Sequence, residues 1–283
     1  MKIVTPLDGS TFSESSIPYA NALAQAWQAK LLLVHVTEPF IPIGLGGQPE
    51  LAVQVQNESM AASLDYLESV KARFPESKIE VSNVLGYPRE EIAQIAASEK
   101  AEVIVMASHG RSGPARWLLG SVAEAVLRNA PCPVLLIRGS IAPKPHFARV
   151  VVPIDGSSLS QEVLDRIGPY LGPDSQVTLV RSTGLSFQDR GQIIDTQALE
   201  GYLAGLDHQL RQVPVKGFAV NYKVLDGDAA GSITDFATES GCDLIAMASH
   251  GRSGFRRLWL GSVTEKVARQ APCPVLVVPS SAL

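Results

Sequence analysis

The sequence lacks the features that identify membrane, nucleic-acid-binding and secreted proteins. No apolar run reaches the roughly 18 residues that a membrane-spanning helix needs. The formal net charge is −4, which leaves no cationic excess for nucleic acid or an anionic membrane surface. The opening residues, MKIVTPLDGS, form a short strand-like run stopped by proline and aspartate, unlike a signal peptide. We therefore expect a cytoplasmic protein without a membrane-inserted segment and without nucleic acid as its main partner.

Cysteine and histidine are also scarce. The three cysteines, Cys132, Cys242 and Cys273, show no paired spacing, which excludes a disulfide framework. Cys132 and Cys273 stand in matching Pro-Cys-Pro segments before apolar runs, so we expect small buried thiols there. His35, His146 and His208 have no ligand spacing to a cysteine or an acid, and no protein-built metal site is predicted.

One segment of the chain occurs twice. Residues 107–134 and 248–275 align without a gap at an offset of 141, and 20 of the 28 positions are identical. An apolar run of four residues precedes each copy and another closes it. This pattern predicts a buried strand, a polar glycine-rich loop, a helix and a second buried strand, built twice.

Alternating strand and helix patterns surround each copy, and 283 residues suit two domains of this kind. The predicted strands are 2–7, 31–36, 78–85, 102–106 and 133–137, then 150–154, 176–181 and 217–225 before the second repeated segment. The longer predicted helices are 49–74, 88–99, 120–129, 158–171 and 192–213. We expect an α/β fold of two tandem domains, 1–139 and 148–283, joined by a proline-rich linker at 140–147. Each domain should be a five-stranded parallel sheet with helices on both faces.

Polar loops follow the first and fourth predicted strands of each copy, where open parallel sheets bind ligands. In the first copy Asp8 can accept hydrogen bonds from ribose hydroxyls, and Gly110 permits close approach of backbone to a ligand. Ser121 follows Gly120 at the start of a helix, where it can act as a cap while the free N–H groups attract an anion. These features favour a nucleotide, although Asp-Gly-Ser is also ordinary turn chemistry and a serine caps a helix without any ligand.

Both copies resemble universal stress protein domains, and the whole chain resembles a tandem member of that family. The ATP-binding branch of the family has the motif Gly-x2-Gly-x9-Gly-[Ser/Thr]. Gly110 with Gly120-Ser121 and Gly251 with Gly261-Ser262 match its last three positions. The shared opening Pro-[Leu/Ile]-Asp-Gly-Ser and the closing Pro-Cys-Pro-Val extend the match over each copy. The first glycine of the motif is replaced by Ala107 and Ala248, which adds a methyl where the backbone would approach the nucleotide.

The resemblance implies a Rossmann-like sheet of the adenine nucleotide alpha hydrolase type that binds ATP, with Mg²⁺ arriving on the nucleotide. The aspartates would hold the ribose, the Val36 backbone would meet adenine, and the glycine turns would hold the phosphates. The implied contacts in the first copy are Pro6, Asp8, Val36, Met106, Ala107, His109, Gly110, Gly120, Ser121 and Val122. Those in the second copy are Pro153, Asp155, Met247, Ala248, His250, Gly251, Gly261, Ser262 and Val263. Ser182 replaces the adenine-facing valine in the second copy, so the first copy is the better match.

The resemblance also implies that the two copies pack as an intramolecular pseudo-dimer through strands 134–137 and 275–278. Two chains would pair further as a homodimer, and the bound nucleotide would act in stress response through a regulatory protein partner. We expect no catalytic residue and at most slow hydrolysis, because the chain lacks the Gly-Lys-[Ser/Thr] of a phosphate-binding loop. Two alternatives stay open: a nucleotide-free dimeric interaction scaffold of the same family, and an adenylating enzyme of the ATP pyrophosphatase type.

Overall fold

The strands occur in two equivalent series of five. The computed structural model describes residues 1–40, 49–108, 119–138, 142–184, 196–210, 212, 217–250 and 260–279. In the first half the strands are β1 (Lys2–Pro6), β2 (Lys30–Thr37), β3 (Ile79–Leu85), β4 (Val103–Ala107) and β5 (Val134–Ile137). In the second half they are β6 (Phe147–Pro153), β7 (Leu171–Ser182), β8 (Ala219–Leu225), β9 (Leu244–Ala248) and β10 (Val275–Val278).

Helices connect successive strands in both halves. Those of the first half are α1 (Thr11–Glu14), α2 (Ile17–Ala26), α3 (Pro49–Lys71), α4 (Pro88–Ser98) and α5 (Ser121–Asn129). Those of the second are α6 (Ser158–Arg166), α7 (Thr196–Gly205), α8 (Asp207–Leu210), α9 (Ala229–Glu239) and α10 (Ser262–Gln270). Within the described part of the chain, no helix combines the length and apolar character needed to cross a membrane.

The predicted helix at 158–171 is too long. Helix α6 ends at Arg166, a single 3-10 turn covers Gly168–Tyr170, and β7 begins at Leu171. Pro169 explains the difference, because a proline in the helix interior removes a backbone donor and clashes with the preceding turn. In the predicted helix at 192–213 the described residues form two shorter helices, α7 and α8, and residues 192–195, 211 and 213 lie outside the described part of the chain.

All ten strands belong to one sheet, in the order β3-β2-β1-β4-β5-β10-β9-β6-β7-β8. Neighbouring strands are parallel within each half, as expected for two tandem five-stranded domains. The exception is the junction, where β5 and β10 pair antiparallel and Leu135 lies opposite Leu276. These two leucines occupy equivalent positions at the offset of 141, so the pseudo-twofold axis of the chain passes between them.

The hydrophobic core continues across the junction on both faces of the sheet. One cluster contains Ile3 and Leu33 together with Leu276, and the opposite cluster contains Val4 together with Val275. The three cysteines are buried free thiols, as predicted for Cys132 and Cys273, and burial raises the pKa of Cys132 to about 12. Because each cluster draws residues from both halves, the two domains share their core.

Side chains also cross the junction outside the sheet. The indole Nε1 of Trp27 donates a hydrogen bond to the carbonyl of Pro169 over 3.0 Å, and its ring meets the buried Tyr170 edge-on at 5.2 Å. On the other side the guanidinium of Arg138 donates to the carbonyl of Ala268, 2.7 Å away, near the carboxyl end of α10. The halves are therefore held together by backbone pairing, apolar packing and side-chain hydrogen bonds.

Asp243 anchors the start of the second half. Its buried carboxylate accepts hydrogen bonds from the backbone N–H groups of Ala148 (3.0 Å) and Arg149 (2.7 Å) at the beginning of β6. Replacing Asp243 by alanine removes both acceptors, and we expect the free energy of unfolding to fall by about 2 kcal/mol. Asp243→Asn keeps one acceptor and should cost about half as much. Urea unfolding of the two variants measures this difference, and equal stability of Asp243→Ala and the wild type would contradict the anchoring role.

Three charged residues join the first three strands of the sheet. Glu80 on β3 accepts hydrogen bonds from Lys30 (2.6 Å) and Lys2 (2.9 Å), and these lysines lower the pKa of Glu80 from 4.5 to about 2. A carboxylate with a lowered folded-state pKa stabilises the protein above its unfolded pKa, and this stabilisation is lost as the pH falls towards 2. Glu80 is 41% exposed, so we expect the loss to stay below about 1 kcal/mol.

Glu80→Gln should therefore reduce the loss of stability between pH 5 and pH 2. Urea unfolding at both pH values compares the variant with the wild type, and Glu76→Gln, at an exposed position outside this group, is the matched control. A decline as steep in Glu80→Gln as in the wild type would show that the lysine pairing does not influence folding.

Candidate functional site

The carboxyl ends of β1 and β4 lie side by side, as the strand order requires. Directly after β1, the side chain of Asp8 closes a turn with Ser10. Its Oδ1 accepts hydrogen bonds from the N–H of Ser10 (2.9 Å) and from the Ser10 hydroxyl (2.6 Å). Gly9 between them has a φ of 82°, a conformation that glycine adopts without strain. The Ser10 hydroxyl also caps α1, so the carboxylate of Asp8 is held in one orientation at the sheet edge.

A cavity of about 780 Å³ opens at this edge in the first half. This volume lies within the range of about 300–1,000 Å³ typical of small-molecule sites. Eight of the ten residues predicted for the first copy line it: Pro6, Asp8, Val36, Met106, Ala107, Gly120, Ser121 and Val122. The other two, His109 and Gly110, lie outside the described residues, as does Gly251 in the second half.

The amino end of α5 forms one wall of the cavity, and here the prediction of a serine cap is wrong. Gly120 is the N-cap residue, with no side-chain cap, and Ser121 is the first residue of the helix. Helix α10 begins in the same way at Gly261 and Ser262. Side chains do cap other helices, such as α6 and α9. The first turns of α5 and α10 therefore have backbone N–H groups without a side-chain acceptor.

Close packing explains the glycine at these helix starts. Gly261 has an ordinary φ of −60°, so its backbone conformation does not require glycine. A Cβ at this position would lie 3.0 Å from the carbonyl oxygen of Ser249, and the N–H of Gly261 donates to that oxygen over 2.8 Å. The N–H of Gly120 makes the equivalent bond to Ser108, also at 2.8 Å. Glycine thus lets the helix start lie directly against the end of β4 or β9.

The methyl of Ala107, which replaces the first glycine of the motif, is accommodated at the end of β4. Ala107 is paired with Ile137 in the sheet, is 9% exposed, and contributes to the cavity wall. Ala248 ends β9 in the same manner and is 7% exposed. The cavity of the first half therefore persists with alanine at this position.

Helix α3 supplies a wall that the sequence reasoning missed. Ser59, Ser63 and Tyr66 line the cavity from this helix, together with His35 and Thr37 of β2. The spacing of Ser59, Ser63 and Tyr66, four and three residues apart, places them in one stripe of the helix and is the signal that was available. The Asn83 side chain links this wall to β3, because Thr37 donates to Asn83 Oδ1 (2.9 Å) and the Asn83 amide donates to the backbone carbonyl of Met60 (2.8 Å).

Tyr66 is held in this wall by an acid. Its hydroxyl donates a hydrogen bond to Glu14 Oε1 over 3.0 Å, and Arg73 pairs with the other oxygen of that carboxylate at 2.9 Å. Burial, and then the Glu14 bond, raise the pKa of the Tyr66 hydroxyl well above its usual value, with a smaller contribution from the charge of Asp8. The hydroxyl is therefore protonated at physiological pH and acts as a donor.

The end of β2 presents backbone groups to the cavity. The N–H of Leu7 donates to the Val34 carbonyl (2.8 Å), while the N–H of Gly86 donates to the Thr37 carbonyl (3.0 Å) on the opposite side of the strand. Because peptide groups alternate in direction along a strand, those of Val36 point to the β1 side, as those of Val34 do. Since β1 ends at Pro6, the Val36 peptide groups face the space beyond it.

The second half repeats the frame with a different wall. Asp155 Oδ1 accepts from the N–H (2.9 Å) and hydroxyl (2.6 Å) of Ser157, as in the first half. Ser182 replaces the valine, and its hydroxyl donates to the Gly227 carbonyl (2.7 Å) and accepts from the N–H of Gly184 (3.1 Å). The remaining predicted residues with a described position lie at the matching strand ends and helix start: Pro153, Met247, Ala248, His250, Gly261, Ser262 and Val263.

His250 follows β9 at the edge of this second cleft. Its Nδ1 lies 3.0 Å from the Ser249 hydroxyl, and burial lowers the pKa of the imidazole, which favours the neutral form at pH 7. Across the part of the chain that the structure describes, no group of three or more histidines, cysteines or acids is placed to hold a metal ion.

Comparison with known families finds one match that repeats along the chain. The model of the universal stress protein family matches residues 1–138 and again residues 146–279. A universal stress protein of Mycobacterium tuberculosis is 30% identical over 301 aligned positions, covering 99% of this chain and 97% of that protein. Another, from Synechocystis, is 27% identical and covers 95% of this chain and 96% of its own length.

Solved structures show the same architecture over the full length. A universal stress protein from Archaeoglobus fulgidus superimposes with a TM-score of 0.67 at 22% identity, covering 98% of both chains. A protein described as a putative universal stress protein from Pseudomonas aeruginosa superimposes with a TM-score of 0.64 at 16% identity and covers 98% of this chain and 92% of that one. At these identities the likeness concerns the fold alone.

Proposed function

This chain belongs to the universal stress protein family, and from that premise we propose that it binds ATP in the cavity of its first half and relays the bound state to a protein partner. The observation that carries the proposal is the bare amino end of α5 facing the held carboxylate of Asp8 across one cavity of about 780 Å³. Donors for an anion at one end and an acceptor for hydroxyls at the other fit a nucleotide.

The phosphate end of the proposed site is the first turn of α5. Its N–H groups at Ser121, Val122 and Ala123 have no side-chain cap, and the dipole of the helix adds partial positive charge there. In the proposed site these backbone donors would hold the phosphates. An anion at this position satisfies groups that would otherwise depend on water.

The ribose and base ends follow from the neighbouring strands. The hydrogen bonds from Ser10 fix the orientation of the Asp8 carboxylate, which can then accept hydrogen bonds from the ribose hydroxyls. The peptide groups of Val36 offer one donor and one acceptor beyond the end of β1, which matches the paired edge of adenine. Val36, Met106 and Ile92 supply the apolar surface on which a base can lie.

We propose regulation, in the cytoplasm, as the role of the bound nucleotide. Asp8 and Glu38 are the acids among the described residues that line the cavity, and Asp8 is engaged by its own turn. A site of this kind holds ATP without an activated water, so hydrolysis is expected to be slow. The bound state would then be sensed by a regulatory protein or by a second copy of the chain.

Isothermal titration of the full chain with ATP and MgCl₂ tests the proposal, with GTP as the matched control because the Val36 edge selects adenine. Nucleotide released on denaturation and resolved by anion exchange gives the occupancy after purification. We expect ATP to bind at one or two sites per chain and GTP to bind more weakly. A flat ATP titration together with no released nucleotide would overturn the proposal.

The alternative in that event is a nucleotide-free scaffold, which the methyl groups of Ala107 and Ala248 favour. An assay for pyrophosphate release separates both readings from an adenylating enzyme, since only the enzyme would produce pyrophosphate from ATP at steady state.

A further inference from the structure

The matching edge of the second half, bordered by Asp155, Arg181 and Tyr202, is termed the second cleft. Each cleft has a tyrosine, but the residues that contact it differ. In the first, Tyr66 donates to Glu14 (3.0 Å) and meets the ring of His35 edge-on at 6.3 Å. In the second, the Gln161 amide donates to the Tyr202 hydroxyl (2.8 Å) and the guanidinium of Arg181 lies 5.1 Å from the centre of that ring. A common frame with exchanged side chains is the pattern expected of two sites for related but different ligands.

The backbone register makes His35 and Arg181 counterparts, and the sequence spacing does the same for Glu14 and Gln161. Val34 accepts a hydrogen bond from the N–H of Leu7, and Val180 accepts one from the N–H of Ile154, both over 2.8 Å. His35 and Arg181 are the next residues along β2 and β7. Glu14 and Gln161 both lie four residues after the serine that orients the aspartate. Arg181 therefore occupies the position at which His35 lines the cavity of the first half.

The exchange changes the charge at this position. In the first cleft the charge of Glu14 is paired with that of Arg73, and the imidazole of His35 stands at the exchanged position. In the second cleft Gln161 is neutral and Arg181 brings one positive charge. Arg181 is half-buried, and among the described residues its contact is the Tyr202 ring, with no described carboxylate in an ion pair with it. A half-buried cation without an acidic partner favours an anionic ligand.

The position lies close to the ribose-binding aspartate. In the first half Tyr66 and Asp8 line the same cavity, and the charge of Asp8 acts on the Tyr66 hydroxyl. By the register above, Arg181 stands to Asp155 as His35 stands to Asp8, and Tyr202 contacts Gln161 as Tyr66 contacts Glu14. In dinucleotide-binding sheets an arginine near the ribose acid accommodates a phosphate on the ribose in place of a free hydroxyl.

We propose that the cleft of the second half binds a nucleotide that carries an additional phosphate on its ribose, and that Arg181 recognises this phosphate. The inference rests on the proposed function in that it assumes a nucleotide-binding frame, but it concerns the other cleft and another ligand. Arg181 would present its planar fork to two phosphate oxygens while Tyr202 supports the other face of the guanidinium. The first cleft, with the imidazole of His35 in place of the guanidinium, would not make this bidentate contact.

Titration of the full chain with adenosine 2′,5′-bisphosphate, its 3′,5′ isomer and AMP tests the proposal, and the isomers identify the ribose position. We expect one site per chain to bind one of the bisphosphates at least about tenfold more tightly than AMP, consistent with one charge-assisted bidentate contact. Arg181→His, which installs the residue of the first cleft, should abolish this preference, so that AMP and the bisphosphates bind with similar affinity. Arg181→Lys should retain part of it, and His35→Arg should create a second site with the preference.

Equal affinity for AMP and both bisphosphates in the wild type, or a preference that survives in Arg181→His, would overturn the assignment, and so would the absence of bisphosphate binding. Thermal melting of each variant shows whether it is folded. The two proposals fail separately, because ATP binding at the first cleft is read from the ATP titration. A flat ATP titration with an Arg181-dependent bisphosphate preference contradicts only the proposed function.

Discussion

Ser121→Asp is expected to lower the affinity of the first half for ATP at least about 100-fold, which corresponds to ~2.7 kcal/mol. Ser121 is the exposed first residue of α5, at the helix end whose backbone donors face the cavity. A carboxylate there competes for the same N–H groups and repels the phosphates. The same charge is favourable for the helix, since acids in a first turn complement the dipole. The variant should therefore fold as well as the wild type and bind ATP poorly.

Isothermal titration calorimetry with ATP measures this loss, and thermal melting without nucleotide verifies the fold. Ser121→Ala is the matched control: it removes a hydroxyl without adding charge and should weaken binding by no more than about tenfold. Ser262→Asp makes the equivalent change in the second half and should leave ATP binding at the first cleft intact. Wild-type affinity in Ser121→Asp would show that the phosphates lie elsewhere.

Leu276→Ala is expected to lower the free energy of unfolding of the whole chain by about 3 kcal/mol. Leu276 is fully buried and lies opposite Leu135 at the antiparallel junction of β5 and β10. Truncating it leaves a cavity in a cluster that draws side chains from both halves. The surrounding sheet is hydrogen-bonded on both sides and can close only partly around the gap.

Urea unfolding followed by circular dichroism measures this effect. Because the core is shared, we expect the two halves to unfold in one transition that shifts as a unit. Leu64→Ala, at a 44% exposed position of α3, is the control and should change stability by less than about 0.5 kcal/mol. Two separate transitions, with only one moved by Leu276→Ala, would contradict a shared core.

Local patterns were enough to predict much of the architecture. Strand periodicity and turn chemistry involve only neighbouring residues. The sequence therefore predicts the apolar strands β2 and β9 and the turns after β1 and β6. The predicted helix 158–171 is wrong beyond Arg166. Pro169 has no N–H for a helical hydrogen bond, and this local signal is present in the sequence. The proximity of Asp8 and Gly120 could be predicted because the carboxyl ends of parallel strands lie at the same edge of a sheet.

Other features depended on contacts between distant parts of the chain. Serine often caps a helix, which favours Ser121 as the cap of α5, but the N-cap position is Gly120, which packs against the end of β4. The wall formed by Ser63 and Tyr66 was missed because nothing in α3 indicates which strand it covers. The alignment that sets Ser182 against Val36 also sets Arg181 against His35, but only the fold places Arg181 beside the ring of Tyr202.

The sequence by itself determined that the chain repeats one α/β unit, where each unit has its polar strand ends, and which family the repeat resembles, because these properties follow from the order and spacing of residues. Only the tertiary structure decided the rest: the single ten-stranded sheet joined at Leu135 and Leu276, the bare start of α5 above the cavity, and the cation beside Tyr202. Those features arise where residues far apart in the chain are packed together, and packing of this kind leaves no local pattern to read.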